Sequence, residues 1–162
     1  MHRLIRIVHF LALAIFLGSI FGHIVLGRMA AADPAVALPV LEAKLVMTYV
    51  LTLPGLGALV ISGAALAFLT RKRTGLQRWL VAKLALVVAV ALNGALVLTP
   101  IAAEEVALAR AGVGALSPVF EILAIRESIA GALNLAAILA IVALAAFRPA
   151  LRASGGALPT RT

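Results

Sequence analysis

The sequence predicts an all-α integral membrane protein, a bundle of four transmembrane helices with both termini in the cytoplasm. Three observations predict it. Of 162 residues, 64% are hydrophobic and only 12% are charged, against about 45–50% and about 25% in ordinary soluble domains. The mean hydropathy is +1.18. The apolar residues gather into four unbroken runs, each near the roughly 20 residues that a membrane helix needs. Alternating segments of a strand barrel are not seen. This composition excludes a disordered chain, a nucleic-acid-binding module and a water-soluble enzyme. With no Cys, disulfides, thiolate metal sites and Cys nucleophiles are excluded too.

The first span runs from Ile7 to Gly27, between Arg6 and Arg28. Its basic start and the small residues Ala30 to Ala32 also suit a signal peptide, but the apolar run is longer than the 7–15 residues of a signal core. The second runs from Leu45 to Thr70, between Lys44 and Arg71. Pro54 lies inside it and should kink it, with Gly55 and Gly57 adding slack. The third runs from Trp79 to Ala103 with Lys83 as its one charge, and the fourth from Ser128 to Phe147, between Glu127 and Arg148. Residues 1–149 thus form the four-helix domain, and residues 150–162 read as a disordered cytoplasmic tail.

Orientation follows from the loops. Arg71, Lys72, Arg73 and Arg78 make the middle connection basic, as are both termini. The other two connections hold all six acids: Asp33, Glu42, Glu104, Glu105, Glu121 and Glu127. The positive-inside rule puts the termini and the middle loop in the cytoplasm of a bacterial inner membrane. The net charge of +8 follows from that topology and calls for no nucleic acid. Glu104 and Glu105 are expected in a solvated loop. Residues 119–125 are expected as an interfacial helix or an outward extension of the fourth span, after a turn at Gly112 and Gly114.

Lipid tails provide no hydrophobic drive for helix association, so small residues and polar contacts must hold the bundle. Gly18 and Gly22, four apart, make a close-packing face on the first helix, either within the bundle or toward a homo-oligomer or larger membrane complex. His9 and His23, fourteen apart, fall on the opposite face, about 21 Å from each other. His9 and Lys83 lie at similar depth near the cytoplasmic side. His23, Thr52, Asn93 and Asn134 converge on one outer layer.

Each polar group has a plain reading. Lys83 snorkels to the interface, His9 sits at an interface, and the asparagines bond neighbouring helices. The functional reading is a cofactor site, because a His on a membrane helix suits haem or metal. His9 or His23 would be the axial ligand of a haem b, Lys83 would pair a propionate or orient a substrate, and Thr52, Asn93 and Asn134 would line the cavity. Bis-His ligation lacks its second helix, since the third His is His2. The scattered Met1, Met29 and Met47 argue against a copper path. The readings left open are a haem- or porphyrin-binding redox protein, a non-catalytic subunit or assembly factor, and a small metal-handling or transport protein.

The run from His9 to Gly18, Leu53-Pro54-Gly55 with Ser62-Gly63, Trp79 to Lys83, and Phe147-Arg148-Pro149 resemble an uncharacterised family of bacterial four-helix predicted integral membrane proteins. More distantly the chain is similar to HemJ-type protoporphyrinogen oxidase and the CopD membrane domain. That resemblance implies a four-helix membrane fold. It also implies haem binding and porphyrinogen oxidation at His9 and Lys83.

Overall fold

The computed structural model describes residues 2–74, 78–113 and 117–147, and it is helical almost throughout. The expected tail over 150–162 lies outside the described residues, as do the side chains of the basic run 71–78 and of Trp79. The elements are α1 (His2–Ala32), α2 (Ala37–Met47), a π-helical turn (Thr48–Thr52), α3 (Leu53–Thr74), α4 (Arg78–Asn93), a second π turn (Gly94–Leu98), α5 (Thr99–Arg110) and α6 (Pro118–Phe147). They form four helices long and apolar enough to cross a membrane: Arg3–Ala32, Ala37–Leu69, Leu80–Arg110 and Pro118–Ala145.

Three of the helices reach beyond the apolar runs: the second begins at Ala37, ahead of Leu45; the third continues to Arg110, past Ala103; the fourth begins at Pro118, ahead of Ser128. The common cause is that Lys44, Glu104, Glu105 and Glu127 read as helix ends, whereas three of them are joined by ion pairs inside the bundle. A charge whose partner sits on a neighbouring helix does not have to mark the membrane surface.

The turns explain where the helices stop. After α1, the Asp33 carboxylate accepts a bond of 2.9 Å from the Ala35 amide, a local turn that competes with helix. After α5 the chain closes with Gly112 at φ +77°. The Gly112 and Val113 amides donate to the Ala109 and Leu108 carbonyls, the left-handed glycine stop of a helix.

Both middle spans are interrupted in the same way. In each, a π turn ends two residues before a proline, Pro54 or Pro100. Proline lacks the N–H that a regular helix needs. A threonine in each turn region bonds the carbonyl five residues back: Thr52 Oγ1 to Met47 O at 3.3 Å, and Thr99 Oγ1 to Gly94 O at 2.8 Å. The kink expected at Pro54 is thus a widened turn just before it.

In the packing, α1 runs along α2 and α3, α4 runs along α6, and α2 against α5 ties the two pairs together at the end away from the termini, the distal end. An apolar layer there joins Ala30, Ala37, Leu41, Val106 and Phe120. A second layer takes one residue from each span: Phe16, Leu56, Val90 and Ile138. Large apolar side chains such as Ile61 (72% exposed) cover the outside, as a lipid-facing surface requires. The bundle sits in a lipid bilayer.

Candidate functional site

Between the two apolar layers every span contributes a polar group. On the second span Lys44, Thr48 and Thr52 recur every four residues, on one helix face. Lys44 is 2% exposed and Glu105 3%. The ammonium donates to Glu105 Oε2 at 3.0 Å and to Glu127 Oε2 at 2.6 Å. One cation from the second span therefore bridges carboxylates of the third and fourth. The expectation of a solvated Glu105 is overturned; Glu104 alone is exposed.

The first span joins through His23. Its Nε2 lies 3.1 Å from Thr52 Oγ1 and 3.4 Å from Thr48 Oγ1. Thr48 already donates its proton to Lys44 O at 3.1 Å, and Thr52 donates to Met47 O. Neither hydroxyl has a second proton, so both accept and the imidazole donates from Nε2. The neutral ring then carries its lone pair on Nδ1. Lys44 and Glu127 also act on this imidazole electrostatically.

With both carboxylates and the ammonium ionised, the Lys44–Glu105–Glu127 set has a net charge of −1. Unbalanced charge in a low-dielectric interior is costly. One added proton would bring the set to neutrality.

His9 sits apart, nearer the termini. Its Nδ1 is 2.9 Å from Ser62 Oγ, and Ser62 gives its own proton to Ala58 O at 2.6 Å. By the same reasoning His9 donates from Nδ1 and carries its lone pair on Nε2. Gly63 makes room for the ring: a Cβ there would come within 3.2 Å of His9 Cε1. Lys83 is part-buried and close enough to act on His9 electrostatically, without a hydrogen bond between them.

The expected outer layer divides. His23 and Thr52 meet. Asn93 instead donates to Ala130 O at 2.9 Å on the fourth span, and Asn134 is buried with no bond to the His23 group. Gly22 packs on Met47, whereas Gly18 has nothing within 4 Å. Among the described residues no three His, Cys, Asp or Glu side chains converge as a metal-binding set.

Sequence reasoning missed Lys44, Glu105 and Glu127 as one group. The usable signal was the Lys44, Thr48, Thr52 stripe, which puts the lysine on the polar face.

Residues 3–149 match the family described as predicted integral membrane protein (DUF2269). The comparisons lend nothing to the more distant likeness to HemJ-type oxidases or the CopD domain. No curated protein and no solved structure matches the chain.

Proposed function

We propose a function for a chain that belongs to the predicted integral membrane protein family DUF2269: it takes up and releases a proton inside the bilayer, as one step of a redox or transport reaction. The observation that carries this is Lys44 bridging Glu105 and Glu127, with Lys44 and Glu105 buried and Glu127 partly exposed. Ionisable groups within membrane spans are expensive, and proton relays are a common reason for keeping them. His23 adds a second acceptor, with Nδ1 open for protonation while Nε2 stays bonded to Thr52 and Thr48.

Infrared difference spectroscopy on the reconstituted protein across a pH step tests this reading. A protonated-carboxyl signal that disappears in Glu105→Gln or Glu127→Gln is expected. Its absence from the native protein, together with no pH response at His23, would defeat the proposal.

A second reading has one specific observation in its favour. Ser62 holds His9 in the tautomer that leaves Nε2 to ligate a metal, the orientation in which axial and metal-bound histidines are usually held. The haem or porphyrin reading, with Lys83 as the nearby cation for a propionate, therefore centres on His9 rather than His23. A Soret band lost in His9→Ala and retained in His23→Ala is the expected signature. A colourless protein from haem-replete cells rules it out. The subunit reading has less behind it, because Gly22 is occupied by Met47 and only Gly18 of that face is open.

The basic runs support a cytoplasmic position for both termini in this reading, within a bacterial inner membrane. The charge cluster then lies in the outer half of the bilayer.

A further inference from the structure

A groove of about 530 Å³ runs between the third and fourth spans, outside the charge cluster. Its walls are apolar for most of its length, with Leu96, Ile129 and Leu133 among them, and these three are 58–69% exposed. Asn93 lies toward its inner end, committed to Ala130 O. Toward the distal end it carries two opposite charges, Glu104 and Arg126. Both are exposed, and neither makes a hydrogen bond or ion pair with any described residue. From Asn93 to Glu104 is eleven residues, about 16 Å of helix.

An unpaired carboxylate and an unpaired guanidinium on one groove complement a head that itself carries both signs. The apolar length behind them complements a hydrocarbon chain. We propose that the groove retains one zwitterionic phospholipid of the phosphatidylethanolamine type. Its phosphate meets Arg126, its primary ammonium donates to Glu104, and one acyl chain lies along Leu96, Ile129 and Leu133. An anionic lipid satisfies Arg126 and sets its charge against Glu104. A quaternary ammonium satisfies the charge of Glu104 and donates no hydrogen bond.

The full-length protein, extracted in mild detergent and exchanged into mixed phosphatidylethanolamine, phosphatidylglycerol and phosphatidylcholine, tests this by native mass spectrometry. One retained phosphatidylethanolamine per chain is expected, in preference to the other two. Arg126→Gln and Glu104→Gln should each lower that retention roughly tenfold, the effect of losing one charge-assisted bond. Neither side chain bonds any described residue, so both variants are expected to fold. Leu133→Trp fills the groove and should abolish retention while leaving the charges in place. Equal retention of phosphatidylglycerol, unchanged retention in the glutamine variants, or a second copy of the chain bound where lipid should be would each overturn the proposal.

Discussion

Lys44 shows how one side chain can decide the bundle. Among the described residues it is the only cation bonded to the two carboxylates, so removing it strands Glu105 in a buried site and Glu127 in a partly exposed one. Lys44→Met is expected to cost about 3–5 kcal/mol, read as a lower midpoint of thermal unfolding in detergent. Combining it with Glu105→Gln and Glu127→Gln should recover most of that loss, because a neutral set has no charge left to balance. The triple variant also separates a lock from a working site: it would be stable and would show no carboxyl signal on a pH step, leaving His23 as the one acceptor of the proposal. Some of this site was legible in the sequence. Depth placed His23 beside Thr52, and the helical period put Gly22 and His23 on different faces. The ion pairs were not legible, because a charge near the end of an apolar run has the same appearance whether it meets water or another helix. Only the third dimension separates Glu105, which turns inward, from its neighbour Glu104, which turns out.

At the scale of elements, number and type were readable and lengths were not. Four apolar runs gave four helices, and Pro54 announced an irregularity. The π form of that irregularity was hidden, since it depends on which carbonyls find a threonine hydroxyl. Close approach between helices is decided by small residues whose importance differs sharply. A Cβ on Gly55 would lie 3.3 Å from Ile15 Cγ2 and 3.4 Å from the Phe16 backbone nitrogen, where α1 cannot yield. A Cβ on Gly22 would lie 2.8 Å from Met47 Sδ, the flexible end of a side chain that can swing aside. Gly55→Ala is therefore expected to lower the unfolding midpoint clearly, and Gly22→Ala much less, although the second contact is the shorter.

The whole molecule is two helix pairs joined by α2 against α5 at the distal end and by the Phe16, Leu56, Val90 and Ile138 layer nearer the termini, with charge held between those layers. Its direction across the membrane is testable without background, because the chain has no cysteine. Single cysteines at Ser154 and Ser117 in intact cells should behave oppositely toward an impermeant maleimide, Ser117 labelled and Ser154 protected. The reverse pattern would invert the topology and move the charge cluster to the cytoplasmic half. The widened turn at Thr48–Thr52 also bears on which changes of length the chain survives. A π turn holds one residue more than the α-helix around it, so one can be removed there without rotating what lies on either side. Val46 and Val50 are both lipid-facing valines, 60% and 63% exposed. Deleting Val50 should leave Lys44 aimed at its carboxylates and yield a folded protein. Deleting Val46 turns Lys44 by about 100° relative to the rest of the span and should yield none: two identical losses four positions apart, one absorbed as slack and the other felt as a broken phase.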